Sequence, residues 1–181
     1  MYDILKENNA TKKGIEIRGR FLMMACNIEY CLLNIIMFCN PDPGNHERVG
    51  QFKEMRMAGK INNVIADLKK YKPNYYTEFK NDLDGLEEFR IVRNDMSHCK
   101  GDFPNDPDLS IFRIVFVEKD ETGIEGIKYR EYTDEYIAKS FDKFALLNAR
   151  LSALWFRLSN EFNSSDHPLA YPPSLTNNIK G

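Results

Sequence analysis

The sequence predicts a mainly α protein, a helical bundle with a β-hairpin inserted before the last long helix. Apolar residues recur at i, i+3, i+4 and i+7 through several long segments, which is the mark of helices with one buried face. The stretch of about 109–132 has a different texture, β-branched and aromatic around a polar turn, which is the mark of paired strands. The 181 residues are 43% hydrophobic and 29% charged, enough for one domain to bury a core without disulfides or metals. A single domain is expected over 1–162, with 163–181 a polar, proline-containing, flexible tail.

The first helix is expected from Ile15 to Cys39, on the stripe Phe21, Met24 or Ala25, Ile28, Leu32, Ile35, Ile36 and Cys39. Asn40-Pro41-Asp42-Pro43-Gly44 stops it, because proline has no N–H to continue the ladder. A second helical region spans about Val49 to Tyr71, with Ile61, Val64, Ile65 and Leu68 facing inward and an interruption expected at Gly59. A third helix is expected to start at Pro73-Asn74 and continue unbroken to His98 on Tyr75 or Tyr76, Phe79, Leu83, Leu86, Phe89 or Arg90, Val92 or Arg93, and Met96. Gly101, Pro104 and Pro107 follow and close it. Leu109 to Val117 and Gly126 to Tyr132, joined across Lys119-Asp120-Glu121-Thr122-Gly123, read as the hairpin. Thr133 or Asp134 then caps a last helix whose inner face is Tyr136, Ile137, Phe141, Phe144, Leu147, Leu151, Leu154, Trp155 and Leu158.

Net charge is −2 and the isoelectric point about 6.0, so the chain has no global basic field. A nucleic-acid site must be local, or built from two subunits. Cys26, Cys31, Cys39 and Cys99 form no CxxC pair and read as reduced, buried thiols, with no metal site expected. Met1 to Lys13 is polar, and Asn27, Glu29, Tyr30 and Asn34 interrupt the one long apolar stretch. The expectation is therefore a buried helix rather than a membrane span, in a cytoplasmic protein.

The chemistry concentrates in Arg93-Asn94-Asp95-Met96-Ser97-His98. Arginine forks two hydrogen bonds onto a phosphate, and histidine moves protons near neutral pH. His98 can serve as base or acid, and Arg93 can clamp the phosphate and stabilise charge that develops on it. Asn94 can bind phosphate or orient the imidazole, and Asp95 can raise the histidine pKa if close to it. Arg90 and Lys100 extend the motif into a small basic patch. Two plainer readings stand beside these. Arg93 and His98 can face the negative end of the helix dipole, and Arg90 can simply balance Glu87 or Glu88. Glu29 interrupts the first helix's stripe and can face the Arg93 region, pair with any nearby cation, or sit at the stripe's edge. Tyr71, Tyr75 and Tyr76 can stack on bases or pack at a helix junction. His46 and His167 carry no assigned role.

Gly19-Arg20-Phe21-Leu22, Ile28-Glu29, Leu32 and Ile35-Ile36 in an early helix, followed by Arg93, Asn94 and, after three further residues, His98, resemble the HEPN superfamily (higher eukaryotes and prokaryotes nucleotide-binding). Its hallmark is Arg, four to six residues, then His, often with Asn after the Arg. The resemblance covers about Ile15 to Gly101. It implies a HEPN-like helical bundle that commonly dimerises, bringing two motifs into one cleft. It further implies a metal-independent endoribonuclease of the toxin–antitoxin or phage-defence kind, acting on RNA without a cofactor. Arg93, His98 and Asn94 would be catalytic, Arg90, Lys100 and Asp95 would meet substrate, and an antitoxin or regulatory protein would be a partner. Other members keep the fold without demonstrated cleavage, so the alternative reading of this chain is a non-catalytic HEPN-like nucleotide-, RNA- or protein-binding module. Some members carry a Tyr two positions after the His. Lys100 stands there in this chain, so modification of that tyrosine does not transfer.

Overall fold

Among the described residues nine elements follow one another: α1 (Tyr2–Cys39), α2 (Asn45–Glu54), α3 (Met57–Tyr71), α4 (Pro73–Glu78), α5 (Lys80–His98), β1 (Lys100–Asp102), β2 (Ile111–Lys119), β3 (Glu125–Thr133) and α6 (Asp134–Ser164). This computed structural model describes the backbone of residues 2–40, 45–98, 100–102, 108–119 and 125–164. It describes the side chains within them from residue 9 onward, except those of 45, 46, 98, 100–102 and 118. The protein is mainly helical, with a small antiparallel sheet leading into the last long helix.

α1 is the central post of the bundle. Its predicted stripe is the buried one: Phe21, Ala25, Ile28, Leu32, Ile35, Ile36 and Cys39 all lie in the core. The helix starts earlier than Ile15 because the polar residues before it contain nothing that breaks a helix until Gly14, and a glycine within a long helix is tolerated. α6 runs alongside α1 in the same direction. Lys13 bonds Asp134 at 2.7 Å near one end, Phe21 stacks on Phe141 at 4.3 Å, and Phe38 meets Phe162 at 5.7 Å toward the other. α3 and α5 pack on the remaining inner sides of α1. Phe144 of α6 is fully buried where α1, α5 and α6 meet, edge-on to Phe21 and to Phe89. Tyr136, expected on the inner face of α6, is exposed, and Trp155 is half-buried at its edge.

Besides the break before Pro73, two helix breaks lie where neither glycine nor proline forces them. The interruption expected at Gly59 occurs at Met55-Arg56, with Arg56 extended (φ −64°, ψ 156°), and Gly59 falls in the first turn of α3. The bend lets Phe52 and Met57 both turn into the core. The helix expected to run unbroken from Pro73 bends at Phe79 (φ −100°, ψ 12°), which buries that ring. The hydrogen bonds from Phe79 N to Tyr75 O (2.9 Å) and from Leu83 N to Phe79 O (3.0 Å) persist across the bend.

The predicted hairpin is β2 and β3, in a register that pairs Phe112 with Tyr132 and Val115 with Tyr129. Each strand runs one or two residues beyond its expected end at the turn. A third strand joins it: β1 pairs antiparallel with β2, Gly101 opposite Ile114. Phe112, Ile114 and Tyr132 anchor the sheet to the core, whereas Val117, Ile127 and Tyr129 toward the turn are exposed. Thr133 ends β3 and caps α6, its Oγ1 accepting from Tyr136 N at 3.1 Å. Thr133→Ala is expected to lower stability by about 1 kcal/mol in urea unfolding, the usual cost of a lost cap.

Of the thiols, Cys31 and Cys39 are buried as expected, Cys26 is exposed, and Cys99 lies outside the described residues. Burial, and then the nearby Asp67 carboxylate, push the Cys39 thiol from the ordinary 9.0 up to about 12. A raised folded-state pKa means that the associated stability is complete below pH 9 and is lost as pH rises toward 12. Cys39→Ala is therefore expected to flatten the fall of unfolding free energy over that alkaline window, measured by urea titration at stepped pH.

Candidate anion-binding cavity

Three helices border a half-open cavity of about 790 Å³ lined by Glu29 of α1, by Met55 to Ala58 and Lys60 at the entry to α3, and by Arg90, Arg93, Asn94 and Asp95 of α5. Four cations line it, Arg56, Lys60, Arg90 and Arg93, against the two carboxylates Glu29 and Asp95. The first turn of α3 opens into the same space, so the positive end of its dipole adds to the field there. These features suit the cavity to an anion carrying more than one charge, such as a phosphate chain.

Glu29 pairs with two of these cations. Lys60 Nζ donates to Oε2 at 2.8 Å and Arg93 Nη2 to Oε1 at 3.3 Å, so one carboxylate holds two cations in place. The Lys60 side chain is 12% exposed and those of Glu29 and Arg93 about a quarter, which leaves the trio weakly screened by solvent. Arg93 Nη1 also reaches Asn94 Oδ1 at 3.3 Å. Glu29 thus faces Arg93, as its place in the apolar stripe of α1 suggested.

Of the residues expected to meet substrate, Arg90 lines the cavity but also pairs with Glu87 through Nε (2.8 Å) and Nη2 (2.5 Å). The partner is Glu87 rather than Glu88, which pairs with Lys143. Asp95 lines the cavity and is buried, and its Oδ2 accepts from both Arg130 Nη1 and the Tyr132 hydroxyl, so the carboxylate also ties α5 to β3. Burial first, and then the hydrogen bond to Asp95, raise the Tyr132 pKa well above its ordinary value, so that phenol stays protonated as the donor. His98 is the last residue of α5, one turn beyond Asn94. Its side chain, and that of Lys100, lie outside those described.

Arg56 and Lys60 are the members that the motif did not reveal. The available signal was Glu29: a carboxylate inside a core stripe needs a cation opposite, and Lys60 borders the inner face of α3 formed by Met57, Ile61, Val64 and Leu68. Tyr71, Tyr75 and Tyr76 pack against the core at the junction of α3 and α4, Tyr75 bonding Glu161. Their arrangement is that of packing. His46 and His167 lie outside the described side chains. Among the described residues no three His, Cys, Asp or Glu side chains cluster as metal ligands would. Comparison with protein-family models, with curated proteins and with solved structures finds no match to this chain.

Proposed function

We propose that this chain is a HEPN-type, metal-independent endoribonuclease, cytoplasmic and acting as a homodimer, with Arg93, Asn94 and His98 at its reactive centre. The observation that supports this most is the company Arg93 keeps. The motif arginine stands in the wall of a cavity lined by three further cations drawn from two helices, with Asn94 beside it. In this reading the phosphodiester enters that cavity, and Arg93 forks onto its non-bridging oxygens. Lys60 and Arg56 hold the charge of the flanking phosphates. His98 moves the proton of the attacking 2′-hydroxyl or of the leaving 5′-oxygen, and the second proton-transfer group comes from water, the substrate or the other subunit.

The test is cleavage of a mixed RNA substrate in EDTA by wild-type and His98→Ala protein purified identically. Cleavage by the wild type and its loss in the variant, with the circular dichroism spectrum unchanged, is the expected result. Cleavage that persists in the variant would remove His98 from the mechanism. RNA that binds but stays intact with both proteins would make the cavity the site of a binding module instead.

A further inference from the structure

A second half-open cavity, of about 310 Å³, lies between α1 and α6 and shares no lining residue with the Arg93 cavity. Its buried lining is apolar: Ile17 of α1, and Ile137 and Phe141 of α6. At one end Lys13 bonds Asp134 at 2.7 Å and the Leu109 carbonyl at 2.6 Å. At the other, Arg20 lies over the Phe141 ring at 3.9 Å, while Phe21 stacks on the same ring at 4.3 Å. Asp134, Ala138 and Asp142 follow one another along the α6 side at intervals of one turn, and the alanine between the two acids leaves the groove open there.

Lys13 and Asp134 neutralise each other. The charged groups that remain are one cation, Arg20, and two carboxylates, Glu16 and Asp142. Among the described residues none of these three makes an ion pair or a hydrogen bond. Glu16 and Arg20 stand four residues apart, the spacing at which opposite charges usually meet along a helix, yet the guanidinium turns onto Phe141 instead. The ring holds it in place and offers no acceptor for its N–H groups.

We propose that this cavity binds a free basic amino acid of the lysine, ornithine or arginine kind. The ligand's α-carboxylate takes the fork of Arg20, and its α-ammonium takes the carboxylate of Asp142. The aliphatic stem lies along Ala138 against Ile17 and Ile137, and the side-chain cation reaches Glu16, one turn of α1 from Arg20. A turn rises about 5.4 Å, a length that the methylene stem of such a side chain spans. One anion and two cations on the ligand meet one cation and two anions on the protein, so no charge is left unmatched. An apolar amino acid leaves Glu16 without a partner, and a diamine leaves Arg20 without one. A phosphate would find two carboxylates beside its single cation. The volume falls at the small end of the range for small-molecule sites, as a ligand of this size requires. The inference is independent of the ribonuclease reading and of any contact between subunits.

The test is isothermal titration calorimetry of the full chain with L-lysine, L-ornithine and L-arginine, beside L-norleucine and cadaverine. Wild-type protein is compared with Glu16→Gln and Ala138→Leu, both at positions exposed on helices, so circular dichroism should match the wild type. Saturable binding of at least one basic amino acid, with a dissociation constant below about 1 mM, is the expected result for the wild type. Norleucine, cadaverine and the Glu16→Gln variant should each weaken binding at least about 10-fold, the effect of one lost charge-assisted hydrogen bond. Ala138→Leu, which fills the groove, should abolish it. No heat and no rise in melting temperature with any of the three at about 10 mM would overturn the proposal. So would norleucine or cadaverine that binds as tightly as lysine, or an affinity that Ala138→Leu leaves unchanged. RNA cleavage does not enter the readout, so the outcome here and the outcome at the Arg93 cavity stand apart.

Discussion

Arg93→Ala is expected to lower RNA cleavage by about 10²–10³ while leaving the fold intact, the size of effect seen when one preorganised donor to a developing anion is lost. The fold is expected to survive because Glu29 keeps a partner. Lys60 donates to its other oxygen at 2.8 Å, so deleting the guanidinium strands no buried carboxylate. The loss in stability should stay within about 1 kcal/mol, as for a partly exposed ion pair. Arg93→Lys restores the charge but not the planar fork, and an intermediate rate is expected. Initial rates on single-stranded RNA in EDTA, read beside urea unfolding of the same samples, separate the two effects. An Arg93→Ala protein that cuts at the wild-type rate would take Arg93 out of the chemistry.

Phe144→Ala should have the largest effect on stability. The ring is fully buried and touches aromatic partners on two other helices, Phe21 on α1 and Phe89 on α5. Truncation removes its transfer free energy and leaves a void that three helices cannot all close, at a cost of about 3–5 kcal/mol. Against the 5–15 kcal/mol that usually separates folded from unfolded chains, that is a large fraction of the whole, and the melting temperature should fall by roughly 10–15 °C. Leu146→Ala, two residues along α6 and exposed, should stay within about 0.5 kcal/mol of the wild type. Equal effects at the two positions would mean that the aromatic junction is not what holds α1, α5 and α6 together.

The helices were legible wherever burial decides sequence. The α1 stripe from Phe21 to Cys39 and the α6 stripe from Ile137 to Leu158 read inward because a soluble helix must hide one face, and those residues are the core. β1 was not legible, since Lys100-Gly101-Asp102 has no strand preference of its own and is extended because β2 offers an open edge to pair with. The bends at Met55-Arg56 and Phe79 likewise carry no local signal and serve rings elsewhere in the core. In the cavity, Arg93 and Asn94 could be named from a linear motif, whereas Arg56 and Lys60 arrive from another helix and no spacing announces them. Asp95 borders the cavity beside Asn94, but its ties to Arg130 and Tyr132 were not legible, because those partners come from a strand distant in sequence.

The carboxylate of Glu29 makes the cavity a site that already holds its own counterion. An anion that binds Lys60 and Arg93 takes over contacts that an internal group was making, so part of the exchange happens within the protein and releases no ions to the solvent. Affinity should then fall less steeply with added salt than four cations would dictate, since the slope follows the ions freed from the polyanion by new charge neutralisation. Glu29→Gln would free those cations, tightening binding at low salt and steepening its salt dependence. In the proposed role the native residue would keep occupancy more even as ionic strength changes.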